Sequence, residues 1–379
     1  MHFQLDEEQR MFRDTVRRFA ETELLPRARE TDESAEFPRD LLPKMAQLGL
    51  LGMAVPEEFG GMELDALSAT MAIEEIGRCC GSTGLSLAAH MGLGCFPIAR
   101  WGTTAQKERW LPALASGETL GALCLTEPGA GSDLQAVTTR GIRKDHHWLI
   151  RGTKAWITNP SLAQVMVVFA VTDPGAGSHS HSMFLVETDL PGVTVHPKEK
   201  KMGVRGSPTH QVSLDDVQVP LDSILGERGK GLCQTLETLD GGRISIGALS
   251  LGIAQGALEE AVRYAKERTA FGQPISDFQA IQWMIADAGT EIEAARLMIY
   301  QAAWLKDQKV RFTREAAMAK LYATEMAERV TRNAIQILGS YGYSGEYPVE
   351  RMYRDARLMT IGEGTSEVQR MVIARHLLH

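Results

Sequence analysis

The chain has 379 residues, 44% apolar and 23% charged, which is ordinary globular composition and enough for two or three domains with a sizeable core. Its net charge of -8 excludes the basic face a nucleic-acid binder needs to replace counterions on phosphate, so an anionic ligand must be met by local arginines or backbone N–H groups. Five cysteines (Cys79, Cys80, Cys95, Cys124, Cys233) without a C-x-x-C pair indicate neither a disulfide framework nor a zinc site, but reduced, mostly buried thiols.

The N-terminal stretch Met1–Glu8 is acidic and lacks the apolar core of a signal peptide, and no run reaches the roughly 18 consecutive apolar residues of a membrane span. The expected class is a soluble cytoplasmic enzyme. From Asp6 to about Gly117 the period is helical: Phe12, Val16 and Phe19 recur on one face, and further segments at Leu41–Leu48, Ala66–Ile76, Leu85–Ala99 and Thr104–Leu114 are bounded by Pro and Gly. Val55–Gly61 is a turn-rich break. Between about Glu118 and Leu225 the period shortens to β-like runs, at Leu120–Leu125, Val137–Arg143, His147–Arg151, Lys154–Ile157, Gln164–Val171, Met183–Val186 and Gln211–Leu214. Asp145-His146 reads as a hairpin tip. No helix-length pattern separates these runs, which predicts an antiparallel barrel or sandwich.

From about Gly229 the chain is helical again. Leu249, Ile253, Ala257, Ala261 and Ala265 follow at i+4, and Ala323, Ala327, Val330, Ala334 and Ile337 alternate four and three. Ser276–Gln279 has the S-x-x-Q form of a capping box, and Gly339 is placed as a helix stop. Three or four long helices with short connections predict an antiparallel bundle. The alanine-rich faces suit either packing within the chain or an oligomer interface.

Several stretches could carry chemistry. Leu125–Asp133 is a Gly-rich turn after a strand, a candidate anion cradle that fails the dinucleotide fingerprint. Pro174–Ser178 repeats five of its letters in what reads as a plain loop, running into His179-Ser180-His181, which lacks a third metal ligand at suitable spacing. Gly226–Gly231 does not satisfy the phosphate-loop pattern and reads as a linker into the bundle. Trp156-Ile157-Thr158-Asn159 ends a strand; by itself it reads first as a core aromatic and a turn. Arg243 and Arg268 stand beside glycines at expected helix starts or ends, where a guanidinium suits bidentate phosphate contact. Glu363 sits between Gly362 and Gly364 where a helix is about to begin, with Thr365 and Ser366 as candidate N-caps. That placement suits a base as well as it suits a plain loop carboxylate.

Taken in order, Val55–Gly61, Leu125–Asp133, Trp156–Asn159, Leu239–Arg243, Glu267–Gln279, Gln336–Gly342 and Ile361–Arg370 resemble the acyl-CoA dehydrogenase family across essentially the whole chain. The resemblance implies an α+β fold: an N-terminal helical domain (1–117), a middle antiparallel β-barrel or sandwich (118–228) and a C-terminal four-helix bundle (229–379), assembled as a homotetramer. It also implies FAD. Its ring would be met by Leu123, Cys124, Leu125, Thr126, Gly131 and Ser132, and by Trp156, Ile157 and Thr158, with Thr158 near flavin N5. Arg268, Phe271 and Gln279 would reach the pyrophosphate and adenine end. Gln336, Ile337, Leu338, Gly339 and Ser340 would do so from a neighbouring subunit, and Thr365, Ser366 and Glu367 would flank the cofactor. Acyl-CoA would be contacted by Ser132, Asp240, Gly241, Gly242, Arg243, Gly364 and Arg375. The implied chemistry is α,β-dehydrogenation of an acyl-CoA, with Glu363 taking the α-proton while hydride passes to FAD, and electrons then leaving to an electron-transfer flavoprotein. No metal is implied. Some relatives carry the base next to the arginine that Arg243 resembles, where this chain has Gly242. Gly362 takes a place where some relatives carry Tyr, and Ser340 replaces a common Gly. An acyl-CoA oxidase or another flavoenzyme on the same fold, or a non-enzymatic helical binding protein that has kept it, are the alternatives.

Overall fold

The computed structural model describes residues 5–378; Met1–Gln4 of the acidic N-terminal stretch and His379 lie outside the described residues. The first helices are α1 (Glu7–Phe19), α2 (Ala28–Ser34), α3 (Leu42–Gln47), α4 (Ala66–Cys79), α5 (Gly81–Ala89), α6 (Phe96–Trp101) and α7 (Thr104–Ala115). Asp6 starts α1 by accepting from the Gln9 N–H at 2.8 Å while the Gln9 side chain accepts from the Asp6 N–H, so two otherwise unpaired donors are satisfied. Val16 and Phe19 then bury the expected face. The segment expected as one helix over Leu85–Ala99 is interrupted by a π-turn at His90–Cys95. Pro97, which has no N–H to give to an i−4 carbonyl, follows in the first turn of α6.

The sheet contains β1 (Ala122–Cys124), β2 (Arg140–Arg143), β3 (His147–Thr158), β4 (Val165–Val171), β5 (His181–Glu187), β6 (Val193–Lys198), β7 (Thr209–Pro220) and β8 (Ile224–Leu225). Their order is β6-β7-β3-β2-β4-β5-β8, with β1 also on β4. The expectation of a wholly antiparallel barrel is corrected: β1 pairs with β4 in parallel, Leu123 opposite Val167, and β2 touches β4 in parallel at Arg140–Val171. Among the described residues no pairing of β6 with β8 closes the sheet. The crossover that a parallel pair needs is supplied here by the β2–β3 hairpin instead of a helix, so the lack of helical period did not forbid it. The hairpin tip at Asp145-His146 is as expected, with the Lys144 N–H donating to the His147 carbonyl at 2.8 Å. His147–Arg151 and Lys154–Ile157 form one strand, kinked by two register shifts against β7.

The C-terminal part holds α8 (Gly231–Glu267), the two-residue strands β9 (Thr269–Ala270) and β10 (Gln273–Pro274), α9 (Gln279–Asp307), α10 (Thr313–Leu338), α11 (Val349–Met359) and α12 (Ser366–Leu378). The three long helices pack on one another, α11 packs on α8 and α10, and α12 packs on α10. Gly339 ends α10 at φ +62°, as expected. The capping box at Ser276 does not form: Ser276 lies in a short 3₁₀ turn, and α9 starts after Phe278 without a side-chain cap. The alanine face of α10 is spent inside the chain, because Ala316, Ala319, Ala323 and Ala327 are all fully buried. A single apolar core joins the first and last helical parts, with Val16, Phe19 and Ile73 in the same cluster as Leu249 and Ala327.

Candidate active site

Glu363 occupies the turn between α11 and α12. The N–H groups of Ile361 and Gly362 both donate to the Leu358 carbonyl, at 2.9 and 3.0 Å, which closes the end of α11, and the Ser366 N–H returns to the Thr360 carbonyl at 3.0 Å. Thr365 caps α12 by accepting from the Val368 N–H at 3.3 Å. Ser366, the other candidate cap, is instead the first helical residue and is buried with its hydroxyl unpaired. Between these anchors Glu363 has φ +56° and Gly364 φ +87°. Glycine takes this conformation freely, but a glutamate held there costs about 1–3 kcal/mol. Such strain persists only where the surroundings fix it.

What this conformation achieves is the placement of the carboxylate. It lies on Gly242: a Cβ built there would sit 2.2 Å from Glu363 Oε2. Gly241 and Gly242 fall well inside the 37-residue helix α8, which corrects the expectation that Arg243 stands at a helix terminus. An interior helix glycine costs about 1 kcal/mol relative to alanine, and here the missing side chain is the space the carboxylate fills. Glu363 Oε2 is shielded from water and has no hydrogen-bond partner. Burial pushes the Glu363 carboxyl up to about 7, against the opposing pull of Lys320 and Arg243. Arg243, 4% exposed, donates to Asp240, whose other oxygen accepts from the Thr313 hydroxyl at 2.6 Å. Burial raises the Asp240 carboxyl despite Thr313 and Arg243.

A second group forms where β1 leaves the sheet. Glu127, in the Gly-rich turn, accepts from the Thr138 and Thr139 N–H groups, the Thr138 hydroxyl and Lys154 Nζ, the last at 2.9 Å. Lys154 also donates to the Leu125 carbonyl at 3.1 Å, and the Ala155 N–H to the Thr126 carbonyl at 2.8 Å. The turn and β3 are thereby locked at the second register shift of β3, where Trp156 takes φ +60°. Its indole is 60% exposed, which overturns the reading of Trp156 as a core aromatic. The outward indole is a consequence of the bulge, since a regular strand would have alternated it inward. Thr158 is half-buried beyond it, and Asn159, at φ +68°, ties the strand end to α5 through the Ser86 carbonyl at 2.9 Å. Ile157, Leu123, Cys124 and Leu125 are buried in the sheet, so only their main chain can face a ligand, whereas Thr126 is half-buried and Gly131 and Ser132 are exposed. The cradle expectation is narrowed, because Glu127 and Ala130 bond each other's carbonyls in a tight turn.

A third group spans the β9–β10 hairpin, the end of α10 and the start of α12. The β9–β10 hairpin turns at Phe271 (φ +52°) and Gly272 (φ +82°), leaving the Phe271 ring 96% exposed beside exposed Arg268 and Gln279. Arg268 lies 6.0 Å above the Tyr341 ring, which brings the hairpin to the end of α10, where Gln336, Gly339 and Ser340 are exposed and Ile337 and Leu338 are buried. Thr365, Ser366 and Glu367 line a cavity of about 510 Å³ together with Arg329, Arg332 and Arg357. Arg375 is exposed on α12, one residue before His376, which meets Arg311 at 2.9 Å. Thr365 and Ser366 belong both to that cavity and to the Glu363 turn, and Arg357 donates to the Thr360 hydroxyl, so the cavity adjoins the first group. His179 is exposed while His181 is buried and stacked on Phe169, so the His-x-His pair does not converge, and no cluster of three metal-ligating side chains occurs among the described residues.

The arrangement fits the flat ring of a flavin, for which a rigidly held outward indole offers a stacking face. In the 510 Å³ cavity, which Glu325, Glu328 and Glu367 also line, Arg329 and Arg357 are paired with Glu291 and Glu328, so among the described residues Arg332 is the arginine left to meet a phosphate. Sequence reading missed two residues, Lys154 and Lys320. Each is a lysine in an otherwise apolar row, β3 in the first case and the Ala316–Ala319–Ala323 face of α10 in the second. That interruption was the available signal.

Comparison with known proteins gives a consistent picture. Family models match residues 6–118 (acyl-CoA dehydrogenase, N-terminal domain), 122–217 (middle domain) and 229–378 (C-terminal domain). A probable acyl-CoA dehydrogenase of Bacillus subtilis (strain 168) is 52% identical over 379 residues, covering 100% of both chains. Among solved structures, butyryl-CoA dehydrogenase from Megasphaera elsdenii superposes with a TM-score of 0.97 at 42% identity, covering 100% of both chains. A chain from the structure of the electron transferring flavoprotein of Acidaminococcus fermentans superposes with a TM-score of 0.98 at 44% identity, again over 100% of both chains.

Proposed function

Because this chain belongs to the acyl-CoA dehydrogenase family, we propose that it oxidises an acyl-CoA thioester to the trans-2-enoyl-CoA, with Glu363 as the base that takes the α-proton. The observation that carries the reading is the Glu363 carboxylate, whose Oε2 is buried without a partner on the bare surface of Gly242. A base must have a free lone pair, and a carboxyl raised to about 7 is matched to working pH far better than an ordinary one. Bound FAD supplies the acceptor for the β-hydrogen, which leaves as hydride. Trp156, Thr158 and the main chain of Leu123–Ser132 would hold its ring. Ser132, Asp240, Arg243, Gly364 and Arg375 are the proposed acyl-CoA contacts, and the backbone N–H of Glu363 is available to polarise the thioester carbonyl as negative charge develops on it.

The division into 1–117, 118–228 and 229–379 is proposed with the function, as is a homotetramer in which Arg268, Phe271, Gln279 and Gln336–Ser340 complete a neighbour's cofactor site. A bare phenylalanine at φ +52° supports that assembly. Electrons are proposed to pass to an electron-transfer flavoprotein. Free thiols throughout support a cytoplasmic setting.

The test is to purify the protein with its flavin and add butyryl-CoA without oxygen. The yellow absorbance is expected to bleach, to stay bleached in air for a dehydrogenase, and to return promptly for an oxidase. Glu363→Gln is expected to bind acyl-CoA and not bleach. Full bleaching in that variant would mean that another group is the base.

A further inference from the structure

We propose that Lys320 is a positioning residue for the base: its ammonium, with the amide of Gln369, clamps the carbonyls of the Glu363–Gly364 turn and so holds the carboxylate against Gly242. The inference rests on the reading of Glu363 as the base.

Lys320 is fully buried on the alanine face of α10, and no carboxylate oxygen among the described residues lies within 4.0 Å of its Nζ. A buried lysine without an ion-pair partner is costly, and a face otherwise made of Ala316, Ala319 and Ala323 has no packing need for one. Among the described residues the one hydrogen bond its ammonium makes is to the Gly364 carbonyl, at 2.7 Å. Gln369, also fully buried, donates from Nε2 to the same carbonyl at 2.9 Å and to the Glu363 carbonyl at 3.2 Å, while its own Oε1 stays unpaired. Two buried donors from two helices thus converge on the two carbonyls of consecutive left-handed residues. That is what a turn needs if it is to stay in a sparsely populated conformation.

Charge acts in the same direction. The groups facing Glu363 are Lys320 from α10 and Arg243 from α8, and both favour its anion. Lys320 in turn faces Glu363, Arg243, Glu367 and Glu325; burial draws its ammonium down to about 8, which leaves it largely charged at neutral pH. Lys320 therefore has two separable roles, a brace on the backbone and a cation near the carboxylate, whereas Gln369 has the first alone.

That separation gives the experiment. The flavin-loaded protein, Lys320→Met, Gln369→Leu and Glu363→Gln are compared by the rate of anaerobic flavin bleaching with butyryl-CoA across pH. Hydrogen exchange of the Gly362–Ser366 amides is followed in parallel. Lys320→Met is expected to bleach about 100-fold more slowly, the scale of a catalytic group displaced by about an ångström. Its pH midpoint is expected to rise by about 1, because an opposing charge has been removed. Gln369→Leu is expected to slow bleaching without moving the midpoint, and both variants to speed exchange of the turn amides. If Lys320→Met loses its flavin, Lys320→Gln takes its place, and an unraised midpoint in that variant overturns the proposal. A wild-type rate, midpoint and exchange pattern in Lys320→Met overturns it as well. Bleaching by Glu363→Gln would sink the base assignment itself, and inactive Glu363→Gln beside unaffected Lys320→Met would sink only the clamp.

Discussion

At Glu363 catalysis and stability pull in opposite directions. Its carboxyl is raised to about 7 by burial, so below that pH it is protonated and cannot take a proton, and the bleaching rate with acyl-CoA is expected to climb through a midpoint near 7. For stability the sign follows from proton binding. A carboxyl whose folded-state value lies above its unfolded value keeps a proton in the fold that the unfolded chain has released. Stability therefore falls as pH rises from the ordinary carboxylate range to about 7 and stays reduced beyond it. Glu363→Gln removes that penalty while keeping the shape. It is expected to melt above the wild type at pH 8 and to converge with it near pH 5, read from thermal unfolding of both proteins stripped of flavin. A variant that melts lower at pH 8 would contradict the burial argument. The strained turn at φ +56° and Gly242 inside α8 belong to the same account, since each lowers stability locally to put one oxygen in one place.

At the scale of elements, the joint between β1 and β3 depends on one buried pair. Burial opposes charge on Glu127, but Lys154 and the Thr138 and Thr139 donors outweigh it and hold the carboxyl down to about 2. Burial draws the Lys154 ammonium down from its ordinary value, against the pull of that anion 2.9 Å away. Lys154→Met leaves the carboxylate buried without its cation, a change that typically costs about 3–5 kcal/mol. It is expected to lower the urea midpoint at pH 7 and to loosen the bulge that presents Trp156, so that flavin retention falls as well. Because Glu127 is depressed in the fold, its contribution is present above the ordinary carboxylate range and lost as pH falls toward 2. The wild-type and Lys154→Met curves should accordingly approach each other in acid; equal midpoints at pH 7 would show the pair to be dispensable. This joint also marks what could be read from the sequence. Spacing alone located the buried faces of α8 and α10, the β2–β3 hairpin and the stop at Gly339, because local periodicity and turn chemistry decide them. It missed the parallel pairing of β1 with β4, the π-turn before Pro97 and the outward Trp156, which depend on partners distant in the chain. Glu363 and Gly242, 121 positions apart, were matched by resemblance, and only the fold shows one lying on the other.

For the whole molecule the open question is what covers the β9–β10 hairpin. A two-residue turn with both residues at positive φ favours Asn or Gly, yet this one carries a phenylalanine at +52° with its ring 96% exposed. Tyr343 nearby is 87% exposed, and on α9 Trp283, Leu297 and Trp304 stand out at intervals of fourteen and seven, which places them along one stripe of the helix. A lone chain would leave these apolar side chains in water, whereas the proposed homotetramer would bury the hairpin and bring Phe271 and Arg268 to a neighbour's cofactor site. Phe271→Asp separates these cases, because the residue makes no core contact whose loss would unfold the chain, and aspartate tolerates positive φ at least as well. The variant is expected to sediment as a smaller species than the wild type and to hold less than one flavin per chain, while its far-ultraviolet circular dichroism is unchanged. Wild-type sedimentation with full flavin content in Phe271→Asp would show that the hairpin neither joins subunits nor reaches the cofactor. Reduced flavin at unchanged sedimentation would keep the hairpin at the cofactor and remove it from the assembly.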